Sequence, residues 1–400
     1  TVGFLNSSDQ MNNTASPVHT RNPMYGYLLL LTICSTAGLH VWRTLFDNFA
    51  VNVVNLDGSH IGFIQSVREL PGFLSLLVVY MLLIIKEHRL SALAVMLLGI
   101  GVALTGLMPS FYGLMFTTLI MSFGFHYFET TNQSLTLQYF DTQTSPVVFG
   151  KLRSFAAATN VLCGLIIIIL APYLDYRQFY LFFGICIVAA AAWALTRNPA
   201  DPRLPRQRKE MVFRKRYWLF YSLTFMAGAR RQIFVAFAVF LLVKKFNFSV
   251  SEIAMLFLLN NLVTFIVSPY IGKWIVRFGE CKVLSVEYLS LIVIFICYGL
   301  VESRYVALGI YIANNLFYSF SIAIRTFFQK IAAPDDIAPS MAVGFTINHI
   351  AAVFLPALGG ILWLINYRYV FFAGALLSFL SLLLVWIIPS QLKAVQASKR

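Results

Sequence analysis

The chain has 400 residues, of which 59% are hydrophobic and 12% charged, and its mean hydropathy is +0.76. These values lie outside the range of a water-soluble domain and indicate an all-α polytopic membrane protein. The net charge of +14 would suggest nucleic acid in a soluble chain, but here the basic residues follow a membrane topology. We therefore expect a lipid bilayer around the protein and no nucleic-acid partner.

Twelve apolar runs are long enough to cross a bilayer, since a transmembrane helix needs about 20 residues. A polar, basic and proline-rich stretch separates six runs from the other six, and we interpret it as a cytoplasmic linker. The predicted organisation is a polar N-terminal tail at 1–24, a six-helix bundle at 25–196, the linker at 197–216, a second six-helix bundle at 217–390 and a basic C-terminal tail at 391–400. The runs lie at 25–50, 60–85, 90–108, 111–139, 147–172, 178–196, 217–243, 252–276, 283–301, 304–329, 341–365 and 369–389.

The basic residues predict the orientation of the chain. Twenty of the 30 Lys and Arg residues fall in the segments on the side of both termini, and five fall in the opposite loops. The positive-inside rule then places both termini in the cytoplasm, with the bacterial inner membrane as the expected location. The other five basic residues are intramembrane: Arg43, Arg68, Arg230, Arg231 and Arg325.

The first predicted helix carries a polar stripe. His40, Arg43, Thr44 and Asp47 fall on one face at 100° per residue. A charge in the middle of a membrane costs roughly 2.5–3.5 kcal/mol on insertion scales, so such residues normally face a cavity or the interior of the bundle. The alternative is an Arg43–Asp47 pair that only holds helices together.

The second predicted helix places Arg68 and Glu69 before a Pro71–Gly72 step that should bend it. The fourth has a polar stripe with His126 and Glu129. Glu129 is the first candidate for proton coupling, because burial makes a carboxylate easier to protonate. Asp47 and Glu69 are the reserve candidates, and the alternative for Glu129 is a fixed ion pair with an arginine.

Polar residues also mark the fifth, seventh, tenth and eleventh predicted helices. Arg153, at the start of the fifth, is interpreted as a cytoplasmic anchor, with the lower rim of a cavity as the alternative. In the seventh, Arg230 and Arg231 are 100° apart, so one can contact a substrate while the other meets a carboxylate. The remaining polar candidates are Tyr318 and Arg325 in the tenth helix and His349 in the eleventh.

The two halves of the chain resemble each other. A shift of 190 to 192 residues brings Thr36 onto Met226, Ile61 onto Ile253 and Phe155 onto Phe345, together with further pairs at nearly the same offset. One offset that serves five separate helices predicts two parallel six-helix repeats around a central cavity.

Together with the loop Gly272-Lys-Trp-Ile-Val-Arg-Phe-Gly279-Glu-Cys-Lys282, this pattern resembles the major facilitator superfamily. The loop is similar to that family's G-x-x-x-D-R-x-G-R-x-K signature, although Val276 occupies the acidic position. The resemblance implies that helices one, four, seven and ten line a central cavity. It also implies that Gly272, Arg277 and Gly279 form a motif that acts in conformational change.

The expected function is secondary transport by alternating access. We expect neither an enzyme nor a cofactor or metal site, because the chain has no phosphate-binding, hydrolase or zinc-protease motif and its five cysteines are scattered. Five intramembrane arginines outnumber three acids, which favours a small organic anion as substrate, with protons as the coupling ion and a monomer as the unit. The alternatives are a drug/proton antiporter, a carrier of an amphiphilic or siderophore-like compound, and a membrane enzyme or receptor. The candidate substrate-binding residues are His40, Arg43, Arg68, His126, Arg230, Arg231, Tyr318, Arg325 and His349.

Overall fold

The computed structural model describes residues 22–56, 58–205, 207–208, 210–248 and 250–398. The predicted N-terminal tail therefore lies outside the described residues as far as residue 21. Within the described part, all regular structure is helical. The helices are α1 (Pro23–Asn52), α2 (Gly58–Phe73, then Leu74–Leu77 and Val78–Met81), α3 (Glu87–Thr105), α4 (Phe111–Tyr139), α5 (Ser145–Leu170), α6 (Tyr176–Leu195), α7 (Trp218–Ile233, then Phe234–Ala238 and Val239–Phe246), α8 (Val250–Phe278), α9 (Glu280–Leu300), α10 (Arg304–Tyr318, then Ser319–Ser321 and Ile322–Ile331), α11 (Ile337–Ile365), α12 (Tyr367–Val385) and α13 (Ile388–Ser398).

Helices α1 to α12 confirm the predicted twelve-helix, all-α architecture. Among the described residues, nine helices are long and apolar enough to cross a membrane by length and composition. Helix α4 is not one of the nine, since its inner turns carry the polar stripe. The largest boundary differences are four residues: α2 ends at Met81 rather than at residue 85, α11 begins at Ile337 rather than at residue 341, and α12 ends at Val385 rather than at residue 389. All other boundaries lie within three residues of the predicted ones.

Three helices depart from α-geometry near their middle. Pro71 lies inside α2 and is followed by a 3₁₀ segment at Leu74–Leu77. Helix α10 has a 3₁₀ turn at Ser319–Ser321, and α7 has a π-helical segment at Phe234–Ala238. Such segments are common at functional sites in helices, because they change the direction of the side chains that follow.

The buried apolar residues form two clusters. One consists of residues from the first half together with Ala342 from the second half. The other consists of residues between 212 and 388 together with Leu137 and Phe149 from the first half. Each half of the molecule therefore has its own core, and the few residues that cross over mark the surface between the halves.

The halves are joined at the end of the molecule that carries the termini. Gln329 of α10 donates hydrogen bonds from Nε2 to the backbone oxygens of Leu137 (2.7 Å) and Phe140 (2.6 Å). Its Oε1 accepts a hydrogen bond from Ser145 Oγ at 2.5 Å. Close by, α5 and α8 pack so tightly that a Cβ on Gly272 would lie 2.8 Å from the Cα of Val147. These contacts close this end of the space between the halves.

The linker is fixed to the turn between α10 and α11. The buried carboxylate of Asp336 accepts from Arg214 Nε at 2.7 Å, from Arg216 at 3.0 Å and from the hydroxyl of Tyr217 at 2.7 Å. Arg208 pairs with the same carboxylate at 2.8 Å. Burial raises the pKa of Asp336, but the hydrogen bonds from Arg214 and Tyr217 and the charges of Arg214 and Arg208 outweigh it, so its pKa lies below its usual value. Asp336 therefore fixes three arginines of the linker to the second half.

Candidate functional site

A cavity of about 130 Å³ lies between the halves, between the middle of the molecule and the closed end. Its walls come from α4, α7, α10 and α11, so three of the four helices named by the resemblance contribute. The lining residues are Phe125, Glu129, Gln133, Phe220, Thr224, Ala227, Arg231, Tyr318, Ser321, Ile324, Arg325, Met341, Gly344, Phe345, Asn348 and His349.

Two arginines and one carboxylate face this cavity. Arg231 comes from α7 and Arg325 from α10, while Glu129 comes from α4. Glu129 accepts a hydrogen bond from Gln133 Nε2 at 3.3 Å, one turn along the same helix. The guanidinium of Arg325 lies 5.6 Å from the ring centre of Phe149, which keeps it at the border between the halves. The cavity thus combines residues from both halves and carries more positive than negative charge.

Arg153 of α5 belongs to the same region, although the sequence favoured a cytoplasmic anchor. Its Nε atom is buried and has no hydrogen-bond partner among the described residues. It interacts electrostatically with Tyr318, Arg325 and Glu129. The less favoured alternative, the rim of a cavity, describes its position better, because Tyr318, Arg325 and Glu129 all line the cavity.

Arg230 is not in the cavity, in contrast to its prediction as a substrate-binding residue. Its side chain is 1% exposed inside the second half, where it donates to Ser381 Oγ and lies 4.3 Å from the ring centre of Tyr288. It also attracts the buried carboxylate of Glu287. Because Arg230 and Arg231 are 100° apart on α7, one side chain faces the cavity and the other faces α9 and α12.

The polar stripe of α1 forms a second region that is not part of the cavity wall. Arg43 and Asp47 are exposed, and Arg43 interacts electrostatically with Arg68, Glu69 and Tyr311. Tyr311 belongs to the other half, so the stripe faces the space between the halves. His40 faces α5, where its Nε2 atom would lie 3.8 Å from a Cβ on Gly164.

Glu69, His126 and His349 converge between these two regions. Their ligand atoms all lie within 4.8 Å of one another. Glu69 also pairs with Arg68 at 2.7 Å, and the rings of His126 and His349 lie 5.1 Å apart. The sequence predicted a functional role for each of the three residues, Glu69 in proton coupling and the two histidines in substrate binding. Their proximity was not predictable, because they lie on three different helices.

The loop motif lies at the closed end. Gly272 allows the close contact of α8 with α5, and Gly279 has a φ of +80°, a conformation that favours glycine, directly before α9. Arg277 is exposed. The ion pair of this region is instead Lys330 with Glu280, at 2.8 Å, which joins α10 to α9.

Comparison with known proteins identifies the family. The model of the Major Facilitator Superfamily matches residues 28–338 and, in a second match, residues 219–400. The chain belongs to this superfamily of membrane transporters. A search of curated protein sequences found no match.

Solved structures with the same fold include transporters of different substrates. The human organic anion transporter TETRAN has a TM-score of 0.71 at 14% identity, with 92% of this chain and 100% of that chain covered. A bacterial homologue of the iron transporter ferroportin, in an outward-facing state, has a TM-score of 0.72 at 13% identity, with 92% and 99% covered. The E. coli fucose:proton symporter FucP has a TM-score of 0.69 at 14% identity, with 92% and 99% covered. Identities this low show the shared fold alone.

Proposed function

We propose that the protein is a proton-coupled secondary transporter of a small organic anion. The observation that carries this proposal is the presence of Arg231, Arg325 and Glu129 in one cavity between the halves. A guanidinium binds a carboxylate or phosphate through two parallel hydrogen bonds, so two of them in one cavity suit a substrate of this kind. Arg153 adds a third positive charge close by.

The rest of the wall suits an apolar group on the same substrate. Phe125, Phe220 and Phe345 line the cavity together with Ile324 and Met341. Ligand sites combine apolar walls with a few polar groups that fix orientation. We therefore expect an anionic group held by the arginines and an apolar or aromatic group against the phenylalanines.

Coupling to protons would occur at Glu129. Arg325 attracts the Glu129 carboxylate in the absence of substrate. An anion that binds Arg325 competes for that attraction, and the carboxylate then binds a proton more readily. Substrate and proton would thus be carried together.

The similar structures do not indicate which substrate this protein carries. An organic anion transporter, an iron transporter homologue and a fucose:proton symporter all have comparable TM-scores and identities. The charge of the cavity is therefore the stronger support for an anion.

A thermal-shift screen of the purified protein tests the proposal. Carboxylates, organophosphates and cations of similar size would be added separately, and we expect an anion to raise the melting temperature. A ligand at 100 times its Kd stabilises the folded state by about 2.7 kcal/mol. Arg231→Lys and Arg325→Lys should lose this shift, while Arg89→Lys, an exposed arginine at the start of α3, should keep it. Stabilisation by cations alone, or wild-type shifts in both cavity variants, would show that the proposal is wrong.

A further inference from the structure

We propose that Glu69, His126 and His349 form a binding site for a divalent first-row transition-metal ion that joins the two halves. The cluster brings two imidazoles and one carboxylate together, with their ligand atoms within 4.8 Å of one another. Only His349 also borders the anion cavity. The inference goes beyond the proposed function, since it requires no particular substrate.

The hydrogen bonds of the two histidines leave the same ring nitrogen available on each. His126 Nδ1 lies 2.9 Å from the backbone oxygen of Ser122, and His349 Nδ1 lies 2.9 Å from the backbone oxygen of Phe345. A carbonyl oxygen can only accept, so each Nδ1 carries the hydrogen and each Nε2 has a free lone pair. A backbone carbonyl that fixes the tautomer of the imidazole in this way is a regular feature of metal-binding histidines.

Burial of the two histidines and one free oxygen of Glu69 support a metal ion at this position, whereas the neighbouring arginines oppose it. His126 and His349 are 4% and 3% exposed, so few water molecules can reach them. Arg68 lies 2.7 Å from Oε1 of Glu69, which leaves Oε2 for a metal ion. Arg68 and Arg231 repel a cation, so the neutral imidazoles must supply much of the affinity.

Gly72 lets α2 pack closely against the two imidazoles. A Cβ at this position would lie 2.5 Å from Cδ2 of His349 and 2.9 Å from Nε2 of His126, the atom that would bind the ion. A side chain at residue 72 would therefore have to displace both rings. The glycine thus permits the close crossing of α2 with α4 and α11.

The ligand set selects the chemical class of the ion. Two imidazoles and a carboxylate suit Zn²⁺, Fe²⁺ or Co²⁺, whereas Mg²⁺ and Ca²⁺ prefer oxygen ligands and Cu⁺ prefers sulfur. With metal–ligand bonds of about 2.1 Å, tetrahedral ligand atoms lie about 3.4 Å apart. Side-chain movements of about 1 Å would bring the three ligand atoms to this separation. Water would then complete the coordination of the ion.

Metal binding to the purified full-length chain tests the site. Zn²⁺ and Co²⁺ would be titrated by calorimetry after treatment with a chelator and its removal, in the absence of any transport substrate. We expect one equivalent of either ion to bind and to raise the melting temperature. Loss of a group that only hydrogen-bonds to a metal ligand already lowers metal affinity about 10–100-fold. Loss of a ligand itself should cost at least as much. His126→Ala, His349→Ala and Glu69→Gln should therefore each raise the Kd of the ion by at least that factor.

Two further variants separate loss of ligands from loss of folding. Gly72→Ala keeps all three ligands and should still weaken binding, because its Cβ would displace the imidazoles of His126 and His349 from their present positions. His60→Ala, an exposed histidine on the same helix as Glu69, should bind like wild type. Melting temperatures without metal would establish that each variant is folded. If folded wild type binds neither ion, or if His349→Ala binds as tightly as wild type, the proposal is wrong. Failure of the anion screen would leave this result unaffected.

Discussion

The adjacent residues Arg230 and Arg231 have opposite surroundings. Arg231 faces a polar cavity, whereas Arg230 is enclosed by Ser381, Tyr288 and Glu287. Both carboxylate oxygens of Glu287 are buried and have no hydrogen-bond partner among the described residues. Arg230 is therefore held by its hydrogen bond to Ser381, by the cation–π contact with Tyr288 and by Coulomb attraction to Glu287.

At the residue scale, Glu129 is the clearest test of proton coupling. In reconstituted vesicles, a pH gradient should drive accumulation of the anion found by the screen in the wild type. Glu129→Gln should keep substrate binding and exchange but lose accumulation, because its amide cannot take up and release a proton at this position. Asp47→Asn, at an exposed position on α1, is the comparison for a carboxylate outside the cavity. Accumulation in Glu129→Gln equal to wild type would remove this residue from the coupling mechanism.

Sequence patterns predicted which residues of the site are polar but not all their contacts. Helical periodicity gives the angle of a residue around its own helix, and this was enough to predict that Arg230 and Arg231 face different directions, but not which of the two faces the cavity. It does not give the distance to a neighbouring helix. For that reason Arg153 was interpreted as an anchor, and the convergence of His126 with His349 was not predicted.

At the scale of elements, the linker is held to the second half rather than loosely attached. Its sequence predicted a cytoplasmic linker and none of its contacts, yet Arg208, Arg214 and Arg216 all contact Asp336. Because the Asp336 side chain is 0% exposed, these contacts are shielded from water better than ordinary surface pairs.

We predict that Asp336→Asn lowers the free energy of unfolding by about 2 kcal/mol, the typical value of a hydrogen bond to a charged group. The pKa of Asp336 is depressed, so its contribution is fully present above the pKa of about 3.9 in the unfolded chain and is lost as pH falls through the folded pKa. The difference between wild type and Asp336→Asn should therefore begin to shrink as the pH falls below about 4 and vanish only below the folded pKa. Chemical unfolding in detergent at several pH values measures this.

Asp201→Asn is the matched control, because Asp201 pairs with Arg203, two residues away in the same linker. Water screens this exposed pair, so Asp201→Asn should unfold like wild type. Equal stability of Asp336→Asn and wild type at neutral pH would show that the linker contacts do not stabilise the protein.

At the scale of the whole molecule, the proposed metal site would hold the two halves in one arrangement. Glu69 and His126 belong to the first half and His349 to the second. Alternating access requires the halves to move relative to each other. An ion bound to all three residues would oppose that movement, because separation of the halves would break a metal–ligand bond.

Spin labels at Tyr112 and Tyr305 can measure this effect after replacement of the five native cysteines. The two tyrosines are 74% and 83% exposed, in the first turns of α4 and α10. We expect Zn²⁺ to narrow the distribution of distances between the two spin labels in the wild type. In His349→Ala, Zn²⁺ should leave this distribution unchanged. A pair of spin labels at Tyr112 and Tyr173, both in the first half, is the control, and its distances should not change when Zn²⁺ is added. An equal response in His349→Ala would show that another site holds the halves.

The architecture was more predictable than the site, for a physical reason. Bilayer thickness fixes the length of each apolar run, and the constant offset between the halves fixes the pairing of helices, so twelve helices in two repeats followed from the sequence. The arrangement of the repeats around the cavity depends on contacts such as Gly272 against α5 and Gln329 against the end of α4. Such contacts join residues that are far apart in the chain and leave no periodic signal.

The π-helical segment Phe234–Ala238 bears on how the two repeats diverged. The offset between them is 190 residues at Thr36 and 192 at Ile61, and a π-helical turn accommodates one residue more than an α-helical turn. A single-residue insertion in α7 would therefore account for one step of the difference without disturbing Arg231, which precedes it. Beyond the segment, one extra residue turns every side chain by about 100° relative to a continuous α-helix. Lys245 lies in this part of α7, where it contacts Tyr367 at 2.7 Å and Glu302 at 3.1 Å.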